Sequence, residues 1–152
     1  MALERTLVIL KPDCVQRRLI GRVVSRFEEK GLTISAIKMM KISEDLAHEH
    51  YAPHKEKPFF KPLVRFMTSA PVVVFVVEGS RAISVVRKLM GKTFGFEAEP
   101  GTIRGDFGVS NQFNLVHGSD SPESAQEEIR RFFADADLLE YPMTDDAWLA
   151  DE

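Results

Sequence analysis

The run from Gln112 to Ser121, Gln-Phe-Asn-Leu-Val-His-Gly-Ser-Asp-Ser, holds the residue best suited to covalent chemistry, His117. Phe113, Leu115 and Val116 read as a short buried strand that empties into His117 and Gly118. Behind them Ser121-Pro122-Glu123 opens a helix, with serine at the N-cap, proline in the first turn and an acid near the positive end. A histidine displayed between a strand end, a glycine turn and a helix start is well placed to react. Imidazole is a nucleophile near neutral pH, and donors around it can hold an anion. A core histidine capping a strand would have the same local sequence, so this stretch alone leaves both readings open. The cations that could meet a phosphate are Lys11 after the first strand, Arg87 beside apolar Val86, and Arg104 in a glycine-rich segment, with the Thr93 hydroxyl nearby. A guanidinium suits phosphate oxygens better than an ammonium does. Taken singly, each of these charges reads as a solvated surface group.

Other candidates fall away on spacing. Gly91-Lys92-Thr93 is not a P-loop, because Val86 stands where the first glycine belongs and the tripeptide closes a helix instead of opening one. Arg104-Gly105-Asp106 is a chance match to an adhesion tripeptide. His48, His50 and His54 cluster in sequence, but Pro53 interrupts their helix, so a solvated, frayed helix end is expected. Cys14 reads as a small filler.

The elements that must position these groups follow from periodicity. Arg5 to Leu10 is an apolar strand, ended by Pro12-Asp13. Ile20, Val23, Val24 and Phe27 recur at helical spacing, closed by Gly31. Thr33 to Ile42 reads as a second strand, and Ser43 caps a helix ending near Tyr51. Pro58 to Phe66 reads as a further helix with Phe59, Leu63 and Phe66 on one side. Pro71 to Val77 fits a strand buried on both faces. Ser80 is expected to cap the next helix, whose inner face is Ile83, Val86, Leu89 and Met90 and whose end is Gly91. The segment from Lys92 to Asn111 is expected to be mostly loop, and a loop of that length is usually functional. The last helix turns Ala125, Ile129, Phe132 and Phe133 inward, and Leu138, Leu139, Tyr141 and Trp148 are expected to anchor an acidic tail over 138–152. Without the inserted helices the order is β-α-β-β-α-β, an α/β (α+β) ferredoxin-like sandwich. Its antiparallel four-stranded sheet is expected to carry helices on one face, with an inserted helical hairpin and a C-terminal extension.

Composition sets the boundaries. The chain of 152 residues reads as a single domain with room for a core. A net charge of −3 gives no bulk attraction to nucleic acid or anionic membrane, so a phosphate site must be a local cluster. The longest apolar run, Ala70 to Val77, is too short to span a bilayer. One cysteine and no leader-like apolar start fit a cytoplasmic location.

The stretch Asn114-Leu-Val-His117-Gly118-Ser119-Asp120 resembles the active-site signature of the nucleoside diphosphate kinases. Lys11-Pro12-Asp13, Pro58-Phe59-Phe60, Ser69-Ala-Pro-Val-Val, Pro100-Gly-Thr-Ile-Arg104-Gly-Asp-Phe107 and Ser124-Ala-Gln-Glu-Glu128-Ile are similar to that family's segments, in its order. The resemblance runs from about Glu4 to Trp148. It implies a ping-pong transfer of the γ-phosphate of a nucleoside triphosphate, mainly ATP, to a nucleoside diphosphate through a phosphohistidine on His117. It further implies that Arg87, Thr93 and Arg104 hold the β and γ phosphates, with Mg²⁺ bridging them and no protein metal ligand. Lys11 would reach the γ-phosphate and ribose, Asn114 the sugar, and Tyr51 the phosphate end of the cleft. Glu128, bridged by Ser119, would fix the His117 tautomer, while Phe59 stacks on the base and Leu63 backs it. A homo-oligomer is implied, with the tail favouring a hexamer over a tetramer or dimer.

Three departures from the family pattern stand out. Cys14 takes the place of a glycine or alanine, Gln112-Phe113 replaces a glycine and a basic residue, and Phe94-Gly95 lacks a proline associated with subunit contacts. Two other readings compete. A catalytically silent nucleotide-binding regulator would be expected to lose His117, Lys11 or an arginine. An RNA-binding module would want exposed aromatic strands, which the aliphatic third strand does not offer.

Overall fold

An unbroken buried run, with no polar alternation, marks a strand covered on both faces. Two stretches have that character: Leu7 to Leu10, and residues 72–77, all of them at most 4% exposed. In this computed structural model, which describes residues 3–150, these runs are the central strands β1 (Leu3–Leu10) and β3 (Val72–Ser80). They pair antiparallel, Leu3 opposite Ser80 and Leu10 opposite Val73. The strand β2 (Thr33–Met40) lies outside β3, and the three-residue β4 (Val116–Gly118) lies outside β1, giving the order β2-β3-β1-β4. That is the ferredoxin-like arrangement expected from the element order.

The helices are α1 (Pro12–Gln16), α2 (Ile20–Glu29), α3 (Glu44–His50), α4 (Phe60–Met67), α5 (Ala82–Met90), α6 (Ile103–Phe107) and α7 (Pro122–Phe132). They cover both faces of the sheet rather than one. Val8, Leu10, Val73, Phe75 and Val77 pack with Val23 and Phe27 of α2, Val86 and Met90 of α5, and Ile103 of α6. Leu7, Ile9, Val72, Val74 and Val76 point the other way, into Ala47 of α3, Phe60, Val64 and Met67 of α4, and Ile129 and Phe132 of α7. The inserted helices have apolar faces of their own, and the second face of the sheet is where those faces leave water.

Several local expectations are corrected. Ser80 is the last residue of β3, not a cap; α5 starts after Arg81, whose φ is 57°. Helix α4 buries Phe60, Val64 and Met67; on its neighbouring side Leu63 and Phe66 are half-buried at the margin of the same core, and Phe59 is exposed. The segment after Gly91 is mostly loop as expected, but it also contains a 3₁₀ turn at Gly95–Glu97 and all of α6. Phe113 is not strand core: it is 43% exposed and packs edge-on against Phe66, with ring centroids 5.0 Å apart. In the tail, Tyr141 donates its hydroxyl to the Ile34 carbonyl at 2.5 Å, and the Leu139 amide donates to Ser35. Trp148 is no anchor, being 88% exposed. The caps Ser43 and Ser121 are as expected, each accepting a backbone N–H from three residues on. Among the described residues no helix is long and apolar enough to cross a membrane.

Candidate active site

Strand β4 borders β1, which sets His117 opposite Ile9 and Gly118 opposite Val8. Helix α7 crosses the same end of the sheet and brings Glu128 to the histidine. His117 Nε2 lies 2.5 Å from Glu128 Oε1, and the Ser119 hydroxyl donates to the same oxygen at 3.1 Å. A carboxylate only accepts, so Nε2 carries the proton of the neutral ring and Nδ1 carries the lone pair. Ser119 is fully buried beneath the site, its oxygen also receiving the Leu7 amide. His117 opens onto a cleft of about 560 Å³ lined by every other residue expected at the site: Lys11, Tyr51, Phe59, Leu63, Arg87, Thr93, Arg104, Asn114 and Glu128.

Arg104 is held most firmly. Thr102 caps α6 by accepting the Gly105 amide, and Gly105 is required because a Cβ there would sit 1.9 Å from the Glu99 carbonyl. From this turn the Arg104 side chain donates to Asn114 O at 3.2 Å, Gly91 O at 3.1 Å and Val116 O at 2.6 Å. Leu115, between two of these carbonyls, has φ 71°, a left-handed conformation that an L side chain rarely adopts. Burial, then the neighbouring Arg87, pulls the Arg104 pKa down to about 10, which leaves it charged at neutral pH. Arg87, in the last turn of α5, donates to Gly118 O at 3.3 Å. Lys11 donates to Asn114 Oδ1 at 2.7 Å, while the Asn114 amide donates to Thr93 O at 2.9 Å. Burial, then Arg104, lowers the Lys11 pKa to about 8, against an opposing pull from Asp13. The cluster is therefore cationic and largely preset, as an anion site requires.

The histidine cluster differs from expectation. His50 is not solvated; it is 8% exposed and packs edge-on against His117, with centroids 5.1 Å apart. The signal was its spacing from Ala47, one helical turn earlier on the buried side of α3. His50, His117 and Glu128 bring donor atoms within 4.8 Å of one another. Arg131 already holds His50 Nδ1, and Glu128 already holds His117 Nε2, so this trio is committed to hydrogen bonds. Tyr51 is buried, its hydroxyl has no hydrogen-bond partner among the described residues, and burial followed by Glu128 pushes its pKa up. A neutral phenol lining an anion cleft is a donor in waiting. Asp120 also lines the cleft and was not singled out from sequence. Cys14 is fully buried with its thiol pushed up to about 12, an inert filler as expected.

At its far end the cleft widens into a hollow of about 540 Å³ between α4 and the segment after Gly91. Phe59, Pro62, Leu63, Phe66 and Phe94 line it, with Asn111 and Gln112 at the mouth. The side of α4 that carries Phe59, Leu63 and Phe66 forms this apolar wall.

A cationic cleft, a carboxylate-oriented histidine and an apolar slot fit a nucleotide-dependent phosphoryl transfer. The family model for nucleoside diphosphate kinase matches residues 4–138. The chain belongs to the nucleoside diphosphate kinase family. It is 58% identical over 146 residues to the nucleoside diphosphate kinase of Pyrococcus abyssi, covering 94% of this chain and 92% of that one. It is 51% identical over 150 residues to the one from Methanothermobacter thermautotrophicus, covering 99% and 100%. The fold superposes with a TM-score of 0.96 on the halophilic Halobacterium salinarum kinase in complex with CDP, at 49% identity and 99% and 100% coverage. It matches a transition-state mimic of the Borrelia burgdorferi kinase with bound vanadate and ADP at a TM-score of 0.91 and 41% identity, covering 97% and 96%. The enzyme is a phosphotransferase that moves the γ-phosphate of a nucleoside triphosphate to a nucleoside diphosphate.

Proposed function

We propose that the transfer proceeds through a phosphohistidine on His117 Nδ1, in two half-reactions at one cleft. The observation that carries this is the Nε2–Glu128 bond, which commits one ring nitrogen and leaves the other nucleophilic. The Nδ1 lone pair attacks the γ-phosphorus, the bond to the bridging oxygen breaks, and the nucleoside diphosphate leaves with that electron pair. Glu128 stabilises the positive charge that the ring acquires, and Ser119 steadies the carboxylate. A second diphosphate reverses the sequence. Arg87 and Arg104 would neutralise phosphate oxygens with N–H groups not spent on carbonyls, Lys11 would follow the γ-phosphate and ribose, and Thr93 and Tyr51 would add hydroxyls. Asn114, already bonded to Lys11, would hold the sugar.

Phe59 would stack on the base and Leu63 would back it, and a π face accepts every base. That tolerance suits an enzyme serving all common nucleotides. The CDP and ADP bound by the Halobacterium and Borrelia relatives support one slot for both ring sizes. Mg²⁺ fits as an ion carried by the nucleotide phosphates rather than by protein: the cleft offers cations, and Glu128 is already committed to His117. Its contribution would be charge neutralisation on the phosphates, with Asp120 the cleft carboxylate nearest in kind. We further propose that residues 1–152 act as one domain in a cytoplasmic homo-oligomer, a hexamer before a tetramer or dimer.

The test uses γ-labelled ATP with Mg²⁺ and no acceptor. The expected result is label on the protein that survives base, is lost in acid, and discharges on addition of a nucleoside diphosphate. Nucleotide binding without label would leave a regulatory cleft and overturn the mechanism.

A further inference from the structure

His50, buried beside His117, and the half-buried Arg131 that contacts it take no part in these roles. His50 ends α3, and its ring packs edge-on against Tyr51 at 4.6 Å and Phe132 at 5.4 Å as well as against His117. Arg131, in the last turn of α7, places Nη1 2.9 Å from His50 Nδ1, a contact between residues 81 apart in sequence. A guanidinium only donates, so this bond exists only while Nδ1 is unprotonated and the ring proton sits on Nε2. A further Arg131 contact is looser, with Nε 3.7 Å from Glu49 Oε1 and no hydrogen-bond partner for Nε among the described residues. The groups facing His50 are Arg131 and Glu128 from α7, His117 from β4, Lys11 after β1, Tyr51 next in the chain and His54 in the following turn. Burial, then His117, Arg131, Lys11 and His54, lowers the His50 pKa to about 3.

One hydrogen bond fixes one atom of a ring but not its plane. Glu128 holds His117 Nε2, and the edge-on ring of His50 limits how the imidazole can swing about that point. We propose that Arg131 and His50 are positioning residues for the transfer: Arg131 pins His50 in a single neutral tautomer, and the pinned ring keeps His117 Nδ1 aimed into the cleft. The inference rests on the phosphohistidine reading. In-line attack on phosphorus is sensitive to such aim, since a misplacement of about 1 Å can cost about a hundredfold. A second proton on His50 would turn its Nδ1 from acceptor to donor, and the bond to Arg131 would become a repulsion.

The experiment combines nitrogen-15 NMR of the imidazoles with rapid-quench measurement of phosphoenzyme formation from ATP, on the full chain. In the wild type His50 should show the Nε2–H tautomer and no titration down to about pH 5. In Arg131→Met the tautomers should mix and the His50 midpoint should rise towards its ordinary value of 6.5. Phosphoenzyme formation should then slow about tenfold while the Kd for ATP stays within about twofold. Arg131→Lys, which can still donate to Nδ1, should recover most of the rate. An Nδ1–H tautomer in the wild type overturns the proposal even if Arg131→Met fails to fold. So does an unchanged rate in Arg131→Met, or a loss that Arg131→Lys does not relieve. Absence of label on the wild type overturns the phosphohistidine reading and the proposal with it; label there with no effect of Arg131→Met overturns the proposal alone.

Discussion

The two ends of the cleft are built on opposite terms. At the phosphate end the cations and the histidine are already bonded to something fixed: Arg104 to three backbone carbonyls, Arg87 to Gly118, Lys11 to Asn114 and His117 to Glu128. At the base end the rings are half in water, Phe59 48% and Phe94 42% exposed, and the contacts are ring edges and apolar surface. The difference follows from what each end must do. Phosphoryl transfer asks for charges preset against a demanding geometry, whereas base recognition here asks for tolerance. Rigidity is concentrated where chemistry occurs and relaxed where substrates vary.

The strongest way to break this contrast is at the nucleophile. His117→Ala should lower phosphoryl transfer by at least about a thousandfold while ATP binding, followed by calorimetry, barely changes. Full turnover in that variant would remove His117 from the mechanism. Arg104→Lys keeps the charge but cannot serve carbonyls of three segments, so urea melts should show a loss of about 2–3 kcal/mol, with weaker nucleotide binding. An unchanged melt would mean that the preset geometry does not depend on those bonds. Phe59→Ala should weaken nucleotide binding by about 1–3 kcal/mol, to a similar extent for purine and pyrimidine diphosphates, and leave the melt nearly unmoved. A loss confined to one base class would contradict a tolerant slot.

The smallest effect is a pair of opposed slopes at Lys11. Its pKa is lowered to about 8, so kcat/KM should fall by up to about tenfold per pH unit as the free enzyme is taken above pH 8. Stability of the unliganded protein should move the other way. From pH 8 to 10.5 the unfolded chain still holds a proton that the folded state has released, so stability rises with pH in that window. Lys11→Met should flatten both slopes, read by pH–rate profiles and denaturant melts. Slopes that persist would belong to another group.

Much of the frame was legible because it is local. The caps Ser43 and Ser121, Gly91 at a helix end, the apolar run of β3 and the inward face of α7 each depend on neighbours within a turn or a strand. The family resemblance likewise gathered the site residues, each of which sits in the cleft or directly beneath it. What escaped depends on distance. The two-sided sheet was hinted at by the unbroken Leu7–Leu10 run, but the helices that cover the second face come from far along the chain. Leu115 has the apolar character of a strand residue, and the left-handed turn it makes is imposed by its surroundings, including Arg104. The His50–Arg131 bond spans two helices with no sequence spacing to announce it. Phe59, Leu63 and Phe66 had the right periodicity for a buried face; periodicity identifies a stripe, but not whether a core or a ligand will cover it.

Gly118 links the nucleophile's strand to the helix that carries Arg87. A Cβ at this position would lie 2.6 Å from Met90 Sδ and 2.9 Å from Val86 Cγ1, while its carbonyl accepts from Arg87. A side chain there would press on Met90 and Val86, so either those two side chains or the spacing of β4 and α5 must give. Position 118 thus acts as a spacer of fixed thickness: its lack of a side chain sets how closely the strand of the attacking atom can lie against the helix whose charge faces the same cleft.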